Sequence, residues 1–267
     1  MKKSVVVVAI GLFLFAMSGM ANAEVIYSSM PNPYPDNLPS LGYEATSTQE
    51  FGNRIEFAGT SRTLSSVTVA LSDWAKESDW GAAYPSGYYQ QSFTLNLYNT
   101  GTGINPGTLI TSLTTTANVP LRPDTWTANG ILFNVTFDFA GLGVTLPDQI
   151  VYGLAFNTTD HGYNPTGVSG PYDSLNFGLN TVDPSIGTDV NPGDVFWNTS
   201  YAGFYADKGV AGVSTFRQDT DWSPYVPAIE FDALNPTPTP EPSSALLLLG
   251  FGFIWLVTIR IKKTQAA

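Results

Sequence analysis

The chain contains no cysteine and a single histidine, His161. The first absence excludes a disulfide framework, thiol catalysis and cysteine-based zinc or haem ligation; the second excludes a multi-histidine metal centre. Positive charge is scarce too. Between Glu24 and Glu241 the 22 acidic side chains face only Arg54, Arg62, Lys76, Arg122, Lys208 and Arg217, a net charge of −16. A surface of that sign repels phosphate backbones, which makes nucleic acid a poor partner, and it stays soluble while admitting divalent cations. No long segment of Ala, Leu, Glu and Lys runs at helical spacing, no G-x-S-x-G elbow is present, and no carboxylate pair is singled out for acid–base work. These absences read as a protein that is not an enzyme and carries no cofactor.

What the chain does have begins at its ends. Lys2 and Lys3 precede an apolar run from Val5 to Met17 and the small-residue pattern Ala21-Asn22-Ala23, the three parts of a secretory signal peptide cleaved before Glu24. At the other end Pro236-Thr-Pro-Thr-Pro reads as an extended, semi-rigid spacer. Ala245 to Ile259 is apolar, and Arg260, Lys262 and Lys263 follow as cations that stay in the cytoplasm. The run is shorter than the roughly 18–20 residues of a comfortable span, but Ile261 and snorkelling basic stems lengthen it. Residues 1–23 are thus a signal peptide, 24–235 an ectodomain, 236–242 a spacer with its Pro-Glu-Pro, and 243–267 an apolar helix with a basic tail. Residues 245–261 enter the membrane at least transiently.

Pro240-Glu241-Pro242, the apolar segment and the basic cluster together resemble the PEP-CTERM sorting signal of exported bacterial proteins. The resemblance implies a Gram-negative envelope, secretion machinery and an exosortase as partners, delivery to the cell surface or extracellular matrix, and a link to exopolysaccharide and biofilm. One departure is the basic cluster, Arg-Ile-Lys-Lys with Thr264 to Ala267 beyond it, where many members have a tighter arginine run. A permanent stop-transfer anchor is the alternative, and it has no need of Pro-Glu-Pro.

The ectodomain alternates like strand. From Ile131 to Phe139 the odd positions are Ile, Phe, Val, Phe and Phe, and polar residues fill most of the even ones, which gives one core face and one wet face. The same alternation occupies 51–57, 67–71, 93–97 and 150–156, with later strands expected at 175–179, 195–197 and 225–231. Turn formers separate them at Asn99–Gly103, Asn105–Gly107, Ala140–Gly143 and Asn191–Gly193. Only Ser72 to Trp80 lacks alternation and is expected to hold one helical turn. The fold class is therefore all-β, an antiparallel β-sandwich of jelly-roll type. Segments such as Phe51-Gly-Asn-Arg-Ile-Glu-Phe57, Asn134-Val-Thr-Phe-Asp-Phe139 and Pro171-Tyr-Asp-Ser-Leu-Asn176 are similar to a group of exported bacterial domains with no assigned chemistry, so this second resemblance implies an extracellular β-domain and transfers no catalytic residue.

Two stretches carry candidate binding chemistry. Trp74, Trp80, Tyr84, Tyr88 and Tyr89, with Asp73, Glu77 and Asp79, combine ring faces that stack on pyranoses with acids that bond their hydroxyls, so a carbohydrate-binding module is the first alternative function. The competing reading is that these aromatics cap the open end of a sandwich. Asp189, Asn191 and Asp194, near Asp173 and Asp183, offer the hard oxygen ligands calcium takes, but Asx-turn chemistry explains them equally well. A polysaccharide-acting hydrolase is the second alternative; it would have to draw on His161 or on an unselected carboxylate pair.

Overall fold

The structure is a computed structural model that describes residues 23–199 and 215–235. The expected signal peptide through Asn22, the expected spacer with Pro240, Glu241 and Pro242, and the expected apolar helix and basic tail with Arg260, Lys262 and Lys263 lie outside the described residues. The compact unit that contains the fold spans Ala23–Leu234. Among the described residues no helix is long and apolar enough to cross a membrane.

Alternating apolar residues draw most of this unit into strands, which in chain order are β1 (Ala23–Ser28), β2 (Ser40–Gly42), β3 (Thr48–Glu56), β4 (Thr63–Asp73), β5 (Tyr88–Asn99), β6 (Leu109–Pro120), β7 (Ile131–Asp138), β8 (Gln149–Phe156), β9 (Leu175–Asn180), β10 (Thr188–Asp189), β11 (Val195–Thr199), β12 (Arg217–Asp219), β13 (Val226–Pro227) and β14 (Ile229–Leu234). They form two seven-stranded sheets. In the first, β4 is the hub. Strand β7 pairs with Ser66–Asp73 along one side, while β14 at Thr63–Val69 and β9 at Leu71–Asp73 divide the other. Strand β1 pairs with β14, and β2 and β13 with β9. The second sheet runs β12-β11-β3-β8-β5-β6, with β10 also on β3. Every strand pairing named here is antiparallel, so the all-β class is met with almost no helix.

The inner faces of both sheets meet in one core cluster that includes Phe93, Leu95 and Tyr152 from the second sheet and Val67, Val69, Phe177 and Phe231 from the first. Rings meet across the interface, one pair edge to face and one tilted. Phe51 on β3 meets Phe177 on β9 at 6.1 Å, and Tyr152 on β8 meets Phe231 on β14 at 5.7 Å. Such contacts, added to the roughly 1.5–3 kcal/mol of burying each large side chain, hold the layers together without any covalent tie.

The one helical turn expected within Ser72–Trp80 is Glu77–Trp80, the short α1, while Ser72 and Asp73 finish β4. One local expectation is corrected. The wet face expected on strands 51–57 and 150–156 is covered. On β3, Glu50, Gly52 and Asn53 are buried along with Phe51 and Ile55, and β8 is buried from Ile150 to Phe156. The reason is position: β3 and β8 lie in the middle of the second sheet, and the loop after β8 reaches back over its outer face through Tyr163.

Phe231 is fully buried and its ring contacts those of Tyr27, Phe57 and Tyr152. Phe231→Ala is expected to lower the unfolding free energy by about 3–5 kcal/mol, read from urea titration of tryptophan fluorescence.

Candidate functional site

The aromatics from Trp74 to Tyr89 do not form one platform. Neighbouring residues on a strand point to opposite faces, so Tyr89 on β5 enters the core while Tyr88 stays 41% exposed on the outside. The Tyr84 ring lies 5.9 Å from that of Tyr89, and Trp80 packs against the same core, so these three cap the sandwich. Asp73 is fully buried beneath them, while Glu77 and Asp79 sit exposed on α1. Burial raises the Asp73 carboxyl to about 7, against the opposing pull of the Ala75 and Trp74 amides and the Tyr89 hydroxyl.

Trp74 goes elsewhere. Its Nε1–H donates to Ser72 Oγ at 3.2 Å, and the indole lies where a side chain on Gly130 would stand, with Trp74 Cδ1 only 2.5 Å from such a Cβ. At 43% exposure it forms part of a groove of about 560 Å³, a volume suited to a small-molecule or sugar ligand. The other aromatics of that groove are Trp222 and Tyr225. The core fixes Trp222: it lies edge-on to Trp197 at 5.3 Å, tilted on Phe51 at 5.1 Å, and donates Nε1–H to Asp219 at 2.7 Å. Tyr225 is 38% exposed, and its N–H bonds the Trp222 carbonyl at 2.7 Å.

Polar groups line the remaining wall. Asn176 on β9 faces Gly42 on β2, where any Cβ would come within 2.8 Å of the amide oxygen. Asp173, in the single 3-10 turn Pro171–Ser174, accepts the Thr159 N–H at 2.9 Å, the Thr159 hydroxyl at 2.7 Å and the Gly170 N–H at 3.1 Å. Three rings together with a carboxylate and an amide among the lining residues suit a ligand with an apolar face and hydroxyl edges. Trp222 and Tyr225 escape the sequence reading because they lie far along the chain from Trp74, in the short Trp222-Ser-Pro-Tyr225 turn.

The acidic residues considered for calcium are engaged by protein donors. Asp189 on β10 is buried; it accepts Asn53 Nδ2–H at 3.1 Å and the Asn191 N–H at 3.2 Å, the geometry of an Asx turn. Asp194 accepts Gln218 Nε2–H. Among the described residues no three His, Cys, Asp or Glu side chains are grouped so as to hold a metal ion. His161 lies in the loop after β8, where its carbonyl accepts from Thr158.

A second polar centre escapes the sequence reading altogether. Glu50 on β3 points to the outer face of the second sheet and is 1% exposed. Its side chain lies across β8 at Gly153, where an added Cβ would fall 2.2 Å from the carboxylate oxygen. Oε1 accepts from Asn96 and from Tyr98, both at 2.9 Å, and Oε2 from Tyr163 at 2.6 Å; Asn96 is held in turn by Ser112 at 2.7 Å. Burial outweighs these donors and pushes the carboxyl up. The knot ties β3, β5, β6 and the loop after β8 together. A glycine inside a buried strand is the sequence signal for such a close approach.

Carboxyls held above their ordinary range keep a proton in the folded state that the unfolded chain has lost, so their stabilising effect is complete below the unfolded value and disappears as pH rises through the folded one. For Asp73 that window runs from 3.8 to about 7. The unfolding free energy is expected to fall by about 2–3 kcal/mol on this account between pH 5 and pH 8, and Asp73→Asn to remove that part of the slope, measured by urea titration at both pH values. In comparisons with known proteins, no family model, curated protein or solved structure matches this chain.

Proposed function

We propose that this chain is a non-enzymatic exported protein, delivered to the cell surface or extracellular matrix, processed by an exosortase and associated with exopolysaccharide or biofilm. The observation that carries the reading is the coincidence of boundaries. The compact unit begins at Ala23, one residue before the expected cleavage point at Glu24, and ends at Leu234, just ahead of Pro236-Thr-Pro-Thr-Pro. A leader and a tail that serve only as addresses are expected to lie outside the folded unit, and the bounds Ala23 and Leu234 support that reading. In this reading the secretion machinery removes residues 1–23, and residues 245–261 hold the chain in the inner membrane until the exosortase acts after Pro-Glu-Pro.

The sandwich in this proposal is a jelly roll. Support comes from strand order: β1-β14-β4-β7 in one sheet and β3-β8-β5-β6 in the other, with the chain crossing between sheets at almost every step. That order is the one expected of two wound Greek keys, and in this reading β2 and β9 to β13 are additions.

Carbohydrate binding is the second reading, favoured by the groove of Trp74, Trp222 and Tyr225 beside Asn176 and Asp173. Binding fits it better than hydrolysis. Paired-carboxylate hydrolysis needs two acids flanking the bond, and among the described residues the groove wall has one, already occupied by Thr159 and Gly170. Calcium has no part in this reading.

Two measurements test these statements. Intact mass of the protein from cells that retain or lack the exosortase is expected to reveal loss of residues 243–267 only where the enzyme is present; an intact tail in both strains refutes sorting. On arrays of bacterial exopolysaccharides, Trp74→Ala and Tyr225→Ala, both at exposed positions, are each expected to weaken binding about tenfold, while Tyr88→Ala leaves it unchanged. Equal binding by all three variants overturns the groove as a sugar site.

A further inference from the structure

We infer that the free edge of β6 is a self-association surface, on which a second copy of this chain adds its own β6 antiparallel to form one continuous sheet. Strand β6 is 12 residues long and ends the second sheet; it pairs with β5 on one side, and no pairing occupies its other side among the described residues. A long open edge is a template for another strand, and proteins that stay monomeric blunt such edges with charge, proline, a bulge or brevity. Other outer strands are blunted in these ways. Strand β12 has three residues and carries Arg217 and Asp219; β1 carries Glu24 and a bulge; β7 ends in Asp138. Strand β6 has none of this along Thr111–Val119: no Lys, Arg, Asp or Glu, with its one register irregularity at Ile110 and its single proline at Pro120, the two ends of the strand.

The absence of charge extends well beyond the strand. From Trp80 to Leu121, which takes in all of β5 and β6, the sequence has no charged side chain, although 22 acids are spread over the rest of Glu24 to Glu241. Two copies of so acidic a domain repel each other over most of their surface, and the hairpin is where they can meet without burying like charges. A partner of opposite sign would find nothing on this strand to recognise, whereas an identical neutral strand finds its match.

Register supports the same occupant. Along β6 the even residues face outward, and they already pair by hydroxyl with β5: Thr94 with Thr114 at 2.9 Å, Ser92 with Thr116 at 3.0 Å. A two-fold axis at Thr114 sets Ser112 opposite Thr116 of the second copy and extends that ladder, with the interface isologous as such symmetry requires. On the inner face the same register sets Leu113 opposite Thr115 and Thr111 opposite Ala117, which covers the half-exposed Leu113 and Ala117 at the open rim of the core. A slip by one residue would bring the second copy's Leu113 and Ala117 to the outer face and break the Ser112–Thr116 match, so the two faces together specify the pairing.

The cysteine-free background makes a clean test, using the full chain exported to the oxidising envelope. Thr114→Cys brings two thiols together at the axis and is expected to give a disulfide-linked species of twice the mass on non-reducing gels. Thr94→Cys, on the same face but one strand inward, is expected to give none. In sedimentation analysis Thr114→Lys, which sets two ammonium groups against each other at the axis, is expected to weaken the dimer at least tenfold. Tryptophan fluorescence and circular dichroism confirm that each variant is folded before it is scored. A folded Thr114→Cys that remains a monomer under oxidation, or that cross-links to a protein of a different mass, overturns the proposal.

Discussion

Phe51 is where the layers of this protein meet. Fully buried on β3, its ring touches Phe177 of the opposite sheet, Trp197 of the neighbouring strand, and Trp222, which forms part of the surface groove. With no disulfide available, packing of this kind must supply the cohesion that a covalent clamp supplies in small disulfide-bonded domains. The same ring also backs the groove. Trp222 is held between Phe51, Trp197 and Asp219, so the shape of the candidate site is set by the core and not by the turn on which the tryptophan lies. A site built this way changes little on binding, and so keeps the affinity that a mobile one spends on ordering.

Scarcity of cations has a second effect, inside the fold. Glu50, Asp73, Asp189 and Asp219 are all buried, yet among the described residues the one ion pair is Arg62 with Asp148 at the surface. The buried carboxyls are met mainly by neutral donors: Asn96, Tyr98 and Tyr163 for Glu50, Asn53 for Asp189, the Trp222 indole for Asp219, which the Arg217 charge also reaches, and backbone amides for Asp73. Neutral donors stabilise an anion less than a guanidinium does, so desolvation prevails and all four carboxyls lie above their ordinary range. The acidic surface and the acid-favouring interior are thus consequences of one composition.

The sequence is legible where a strand has one apolar face, and less so elsewhere. Strands β3, β4, β5, β7, β8, β9, β11 and β14 follow from alternation, as does the all-β class. Strand β6 does not, because at an edge the inward positions Thr111, Thr115 and Ala117 need not be large or apolar, and the period disappears. The candidate site was half legible. Trp74 could be named from its neighbours, but its partners Trp222 and Tyr225 are joined to it only by the fold, and Glu50 drew no reading because Asn96, Tyr98 and Tyr163 are likewise brought to it by the fold. Tyr88 and Tyr89 could have been separated from the start, since consecutive strand residues face opposite ways.

The pairing of the first strand with the last bears on timing. Strand β1 forms its ladder with β14, so that Ala23 stands opposite Leu234 and the outer edge of the first sheet is made from the two ends of the domain. Contacts so distant along the chain form late. As the polypeptide emerges, its leading strand has no neighbour until nearly the whole domain has followed, and β14 cannot cover β4 before then. The sandwich therefore closes only when its last strand arrives, with the first strand waiting for it.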